Sequence, residues 1–179
     1  MVYSTIMDNY LNLKFIFMKT KLLALALVGI FAFSGAMAQE QGDVRVNGGI
    51  SFLTGPYGGD SRIGFGVGGE YLITDNISGA ASYYMSNKDS FKLNMFSIDG
   101  RYYFLTDDFQ AYGVAGISFI NGDGGFSETG FALGAGGIFG ISDALGVNAE
   151  LKYQLNKPTG FSDPLGLQIN AGLVYTFGK

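Results

Sequence analysis

Residues 145–155 read LGVNAELKYQL, and apolar residues alternate along this stretch with glycine, polar or charged ones. Side chains of a β-strand point to opposite faces in turn, so a period of two predicts a strand with one apolar and one polar face. The apolar face carries Val147, Ala149, Leu151, Tyr153 and Leu155, and the opposite face carries Asn148, Glu150, Lys152 and Gln154. The stretch therefore predicts a strand that separates an apolar environment from a polar one.

The same alternation recurs in seven further stretches, which brings the number of predicted strands to an even eight. These stretches are residues 43–53, 62–73, 77–85, 93–105, 110–120, 131–141 and 167–177. Each is close to the roughly 9 to 11 residues that a tilted strand needs to cross a bilayer. The connections alternate in length, with short turns at 74–76, 106–109 and 142–144 and longer loops at 54–61, 86–92, 121–130 and 156–166. This pattern predicts an all-β, eight-stranded, antiparallel up-and-down transmembrane barrel with short periplasmic turns and longer extracellular loops.

Charge placement distinguishes a membrane barrel from a soluble one. The apolar faces of the predicted strands carry no charge, and the other faces are rich in Gly, Ala and Ser. A water-facing surface would carry about 25 to 35% charged residues, so the polar faces fit a narrow lumen better than a solvated exterior. A soluble lipocalin-like barrel that binds a ligand is the structural alternative.

Six charged residues fall on the lumen faces, three basic and three acidic. They are Arg45, Glu70, Asp99, Arg101, Glu150 and Lys152. Buried charges are tolerated when they are paired, and a symmetric first hairpin would place Arg45 opposite Glu70. We expect a paired network that blocks the lumen, with unpaired charges in lumen water as the alternative.

Aromatic residues on the apolar faces are predicted to form two girdles, one at each membrane interface. With the first strand running outward, the outer girdle comprises Phe52, Phe65, Tyr83, Phe96, Phe119, Phe131 and Tyr153. The periplasmic girdle comprises Tyr71, Tyr102, Phe104, Phe139, Tyr175 and Phe177.

The residue 18–38 segment has the features of a secretory signal peptide. It starts with Met18 and Lys19, continues through a short apolar run, and ends in an Ala-x-Ala site at Ala38. We expect cleavage there, which leaves residues 39–179 as the barrel. Residues 1–17 precede a complete signal, so we interpret them as a mis-assigned start, with an unusually long signal region as the alternative.

Composition excludes several function classes. The 179 residues include no His, Cys or Trp, and the formal net charge is −4. Without His or Cys the chain cannot form the usual zinc or haem sites or an imidazole-based triad, and an acidic chain does not suit nucleic acid. We therefore expect no enzyme activity, no catalytic, cofactor or metal residues, and no nucleic-acid partner.

The pattern over residues 43–177 resembles the small eight-stranded outer-membrane β-barrels of the OmpA/OmpX type, often labelled porin-family proteins. Within the closing stretch, Leu173, Tyr175 and Phe177 look like the C-terminal assembly signal that the barrel-insertion machinery recognises in that family. The resemblance implies the outer membrane of a Gram-negative bacterium, with membrane lipid and the insertion machinery as partners. It implies architecture more than activity, because one fold hosts many functions.

Two functions remain open at this point. The first is a non-enzymatic envelope scaffold whose surface loops serve adhesion or interaction with an unidentified surface ligand. The alternative is a narrow channel for water, ions or small solutes.

Overall fold

The structure is a computed structural model, and it describes residues 39–54, 61–88, 91–155 and 166–178. The predicted extension at 1–17 and the predicted signal peptide at 18–38 lie outside the described residues. Most of the predicted loops 54–61 and 156–166 lie outside them as well. Among the described residues, no helix is long and apolar enough to cross a membrane.

Eight antiparallel strands close into one barrel, in which each strand pairs with its sequence neighbours and β1 also pairs with β8. The strands are β1 (Val44–Leu53), β2 (Arg62–Leu72), β3 (Ile77–Lys88), β4 (Phe91–Thr106), β5 (Phe109–Gly122), β6 (Phe126–Gly140), β7 (Leu145–Gln154) and β8 (Gly166–Phe177). The predicted eight-stranded antiparallel barrel is confirmed.

Short turns at 73–76, 107–108 and 141–144 lie at one end of the barrel, which we call the turn end; the opposite end is the loop end. Side-chain hydroxyls stabilise two of these turns. Thr74 accepts hydrogen bonds from the backbone N–H groups of Asn76 and Ile77, at 3.2 and 3.0 Å. Ser142 accepts one from the N–H of Leu145, at 3.2 Å. Asp, Asn, Ser and Thr favour turns because they form such local bonds.

Two of the predicted loops are largely strand. β3 and β4 remain paired up to Lys88↔Phe91, inside the predicted loop 86–92. β5 and β6 remain paired up to Gly122↔Phe126 around a short 3-10 turn, Asp123–Gly125, inside the predicted loop 121–130. The polar and glycine-rich sequence of these segments suggested loops, but backbone pairing supports a strand there without an apolar face.

A β-bulge near the turn end interrupts the alternation of β4. The register shifts between Tyr103, which pairs with Tyr112, and Leu105, which pairs with Ala111. The extra residue is Phe104, and both Phe104 and Leu105 are exposed on the outward face. Strict alternation would turn Leu105 inward, so the bulge keeps this apolar residue on the outward face.

The two faces of the barrel wall have inverted polarity relative to a soluble protein. Large apolar side chains lie outward and exposed, as in Phe65 and Phe131 at 67% and 63%. Arg45, Gln154 and Lys152 are among the most completely buried side chains, inside the barrel. An apolar exterior around a polar interior is the arrangement of a membrane barrel and the reverse of the soluble lipocalin-like alternative.

Candidate functional site

The described side chains in the lumen form four successive layers, and β4 crosses all of them in order. From the loop end, Leu93 and Met95 lie in an apolar layer, Ser97 in an uncharged polar layer, Arg101 in a charged layer, and Tyr103 in a second apolar layer. This sequence of side chains follows from alternation along one strand, since every second residue faces the lumen. These lumen layers form the candidate functional site.

The loop-end cluster is the outermost layer and consists of Leu53, Leu93, Met95 and Ile120, with Tyr84 packed against it. Tyr84 lies directly over Gly66, the residue opposite it on β2. A Cβ on Gly66 would collide with the Tyr84 ring, so the glycine is needed for this close approach. Alternation in the sequence does not predict this cluster, because the pattern indicates a polar lumen face.

The amide belt is the next layer and is a hydrogen-bonded chain across five strands. It consists of Ser51, Ser97, Ser118, Gln154 and Gln168. Gln154 Nε2 donates to Gln168 Oε1 at 2.6 Å, and Gln168 Nε2 donates to Ser51 Oγ at 3.1 Å. These residues are not among the predicted site residues, and their position on the lumen faces is the signal in the sequence that indicates them.

The charge network lies below the belt and is centred on Arg101. Its Nη1 donates to Glu70 Oε2 at 2.9 Å and its Nη2 donates to Glu150 Oε2 at 2.8 Å. The Cζ atom of Arg101 also lies 4.8 Å from the centre of the Tyr112 ring. One guanidinium thus joins carboxylates from β2 and β7 through its two terminal nitrogens.

Lys152 is the second cationic centre of the network. Its Nζ donates to Asp99 Oδ2 at 2.5 Å and lies 3.5 Å from Glu150 Oε1. Glu150 also accepts hydrogen bonds from Tyr112, at 3.0 Å, and from Asn170, at 3.1 Å. The Asn170 amide also accepts from Gln168, at 3.0 Å, which connects the charge network to the amide belt.

The expected pairing of Arg45 with Glu70 is wrong in one respect. The register does place Arg45 opposite Glu70, but Arg101 forms the ion pair with Glu70. Arg45 Nη1 donates to the Tyr103 hydroxyl at 3.3 Å, and that hydroxyl donates to Glu70 Oε1 at 2.6 Å. Long side chains in a narrow lumen reach across the barrel, so strand register alone does not decide their partners.

Arg45 is the least satisfied charge in the lumen. It is fully buried, and its Nε and Nη2 have no hydrogen-bond partner among the residues that the structure describes. Glu70, by contrast, accepts from Ser78 at 2.5 Å in addition to Tyr103 and Arg101.

The turn-end cluster closes the lumen below the charges. It consists of Tyr103, Tyr112, Val114, Ile138 and Val174. The rings of Tyr103 and Tyr112 are 5.0 Å apart and both are fully buried. Their hydroxyls point into the charge network and their rings into the apolar layer, so they connect the two.

The cavities that lie beside Tyr84 among the described lumen side chains are small. Two cavities beside Tyr84 measure about 20 Å³ and 10 Å³. A space of this size accommodates about one water molecule. Within the described part of the chain, no group of three or more acidic residues is arranged to hold a metal ion.

The residues predicted for the outer girdle are all exposed on the outward face. Tyr83, Phe96 and Phe119 lie directly opposite one another on consecutive strands, and the rings of Phe96 and Phe119 are 6.2 Å apart.

Five of the six residues predicted for the periplasmic girdle are exposed near the turn end, and Phe139 is half-buried. Phe109, at the start of β5 and within the predicted turn 106–109, is a further exposed aromatic residue at this end. Leu173, Tyr175 and Phe177 point outward on β8, and the last two rings are 5.1 Å apart. Their role in assembly stays a prediction.

Comparison with known proteins gives one family match. Residues 23–177 match the family described as the outer membrane protein beta-barrel domain. A search of curated proteins finds no match.

Solved structures with the same fold include three barrels from two bacteria. OprG from Pseudomonas aeruginosa is 14% identical, covers 79% of this chain and 98% of its own, and has a TM-score of 0.65. The N-terminal barrel of OprF from the same species is 22% identical over 78% of this chain and 100% of its own, with a TM-score of 0.58. Ail, the attachment invasion locus protein of Yersinia pestis, is 16% identical over 76% of this chain and 99% of its own, with a TM-score of 0.53.

Proposed function

This chain belongs to the outer membrane protein β-barrel domain family and is an outer-membrane barrel, and we propose that it is a closed, non-enzymatic scaffold. In this function the barrel presents its surface loops to an external partner. The observation that carries the proposal is the filled lumen. Eight strands leave an interior just wide enough for side chains to fill, and here four layers of side chains fill it.

The described acidic groups of the lumen offer no access to a substrate. The side chains of Glu70, Asp99 and Glu150 are each about 1% exposed and each is paired with a cation. A general acid or base must come within hydrogen-bond reach of its substrate, and these carboxylates are enclosed. A structural role for the lumen is therefore favoured over a catalytic one.

The loop end carries the features that suit contact with a partner. In barrels of this family the short turns are periplasmic and the longer loops extracellular. The paired hairpins of β3–β4 and β5–β6 continue beyond the length that spans a bilayer, since β4 and β6 have 16 and 15 residues. One barrel with this fold is named for attachment and invasion, which supports attachment as a role that such a barrel can serve.

Loop replacement tests the scaffold proposal. Bacteria displaying the barrel are compared with bacteria displaying a variant in which residues 55–60 and 156–165 are each replaced by a short turn, for adhesion to one another, to glass and to cultured epithelial cells. The matched control replaces Asp107 and Asp108 at the turn end with Asn. We expect the loop variant alone to lose adhesion while both fold, as judged by heat modifiability on a gel. Equal adhesion by the loop variant and the intact barrel would contradict the proposal.

A narrow channel is the second candidate, and the polar middle of the lumen is the observation that favours it. A barrel that only supports loops could fill its interior with apolar side chains. In this lumen, by contrast, a continuous chain of side-chain hydrogen bonds connects Ser97 in the amide belt to Arg45 in the charge network. Rearranged polar side chains could pass water or ions. Conductance in a planar bilayer distinguishes the two functions.

A further inference from the structure

Residues 39–43, the first that the structure describes, form an N-terminal tail that contacts the turn between β2 and β3. The carboxamide Nε2 of Gln39 donates a hydrogen bond to the backbone carbonyl of Asp75 at 2.6 Å. The backbone N–H of Gln41 donates to Asp75 Oδ1 at 2.8 Å. The tail is therefore held at the turn end, and the amide group of Gln39 forms one of its contacts.

The predicted cleavage after Ala38 makes Gln39 the first residue of the exported chain. Its backbone nitrogen then changes from an amide, which is not a nucleophile, to a free α-amine. An α-amino group has a pKa of about 7.7 to 8.0, so on the order of a tenth of such amines are unprotonated and nucleophilic at pH 7. Gln41 has the same side chain, but its backbone nitrogen remains an amide.

The side chain of an N-terminal glutamine places an electrophilic carbon within reach of that amine. Attack of the α-nitrogen on Cδ closes a five-membered ring, and the reaction is favoured because both groups belong to one residue. The bond between Cδ and Nε2 breaks, a proton moves from the α-nitrogen to Nε2, and ammonia leaves. The product is a pyroglutamyl lactam, and the step needs no oxidant, reductant or co-reactant.

The contacts of Gln39 in the folded barrel are compatible with this lactam. The ring N–H is bonded to Cδ in the place that Nε2 held, so it can donate to the Asp75 carbonyl instead. Oε1 becomes the lactam carbonyl oxygen, and it has no hydrogen-bond partner to lose among the residues that the structure describes. Before the barrel forms, the Gln39 amide has no contact with Asp75 and is free to react.

We propose that the mature protein begins with a pyroglutamyl residue formed from Gln39. The lactam has no free α-amine for an aminopeptidase to recognise, so the tail that leads into β1 is protected from trimming. This modification site requires the predicted cleavage after Ala38, and it is independent of the scaffold function.

Edman degradation of the denatured barrel from outer membranes, together with its intact mass, tests the site. The natural sequence should give no Edman signal, and its mass should be lower by one ammonia than that of residues 39–179. Digestion with pyroglutamyl aminopeptidase should then give a sequence that starts at Glu40. Gln39→Asn should be readable from its first residue without digestion, because its shorter side chain could close only a strained four-membered ring. Gln41→Asn is the matched control and should remain blocked.

Four results would overturn the proposal. A natural protein that reads directly from Gln39 would show that the amine stays free, and one that starts at another residue would show that Gln39 is not N-terminal. A block that also occurs in Gln39→Asn would indicate a different modification. A synthetic peptide of residues 39–45, added at cell lysis, controls for ring closure during handling. Equal lactam fractions in the peptide and the protein would mean that purification formed the ring.

Discussion

The lumen and the outward face are formed by alternate residues of the same strands, yet they are stabilised in different ways. Arg101 faces the lumen and contacts Glu70, Glu150 and the Tyr112 ring. Tyr102, the next residue, is 60% exposed on the outward face. The contribution of a lumen side chain to stability therefore depends on its particular partners, whereas that of an outward side chain depends on its polarity and its depth in the bilayer.

Removing the central lumen cation should produce the largest effect. Arg101→Met keeps most of the side-chain volume but leaves Glu70 and Glu150 without their strongest partner. Breaking a buried ion pair from one side costs about 3 to 5 kcal/mol. Tyr102→Leu, one residue away, should cost less than about 1 kcal/mol, within the usual range of exposed substitutions. Reversible urea titration of the reconstituted barrel measures both, and similar values for the two would show that the lumen and the outward face do not differ in this way.

A charge introduced on the outward face should lower the free energy of unfolding by an amount that depends on its depth in the bilayer. Ala149 is exposed in the middle of β7, and Ala149→Arg should lower the free energy of unfolding by about 2 to 4 kcal/mol. Thr129 is exposed in the loop-end extension of β6, and Thr129→Arg should cost no more than about 1 kcal/mol. The same titration applies, and a larger cost at Thr129 would mean that this extension lies within the hydrocarbon region.

Glycine-to-alanine substitutions should lower the free energy of unfolding at a crowded lumen position and raise it at an open outward position. Gly66→Ala forces the Tyr84 ring away, and overpacking of this kind costs about 1 to 3 kcal/mol. An added Cβ at Gly113, on the outward side of β5, meets no atom within 4 Å. Gly113→Ala should therefore stabilise the barrel by about 0.5 kcal/mol, because it restricts the unfolded chain. Destabilisation by Gly113→Ala equal to that by Gly66→Ala would refute this distinction.

The smallest effect is expected at Arg45, which forms no ion pair among the described residues. Among the described residues, the contacts of Arg45 are one hydrogen bond to the Tyr103 hydroxyl and one approach to the Tyr103 ring, at 5.7 Å, so Arg45→Met should change the free energy of unfolding by no more than about 1 kcal/mol. If strand register decided the ion pairs, Arg45→Met would be as costly as Arg101→Met. Measuring the two variants in parallel separates these possibilities.

The barrel could be predicted from sequence because alternation is a property of each strand by itself. Residues 145–155 predict β7 to within one residue, and the predicted opposition of Arg45 and Glu70 is the observed register. The extended ends of β3 to β6 could not be predicted in the same way. There the outward positions are polar, as in the pair of Asn87 and Lys92, so an alternation with an apolar outward face cannot be detected.

The lumen contacts could be predicted only as a set. Alternation along the strands places Glu70, Arg101 and Arg45 in the lumen. Which of them pair depends on how far each side chain extends across the barrel and on Tyr103, whose hydroxyl lies between Arg45 and Glu70. The bulge at Phe104 could not be predicted from alternation either. One extra residue in a strand changes the face to which the following residues point.

Conductance of the intact barrel in a planar bilayer shows most directly whether side chains close the lumen. The loop-end cluster, amide belt, charge network and turn-end cluster leave room for about one water molecule in each cavity beside Tyr84. We therefore predict little or no steady conductance for the intact protein, and a measurable increase for Arg101→Met in the same bilayer. A large and stable conductance of the intact protein would contradict the closed lumen and establish the channel as its function.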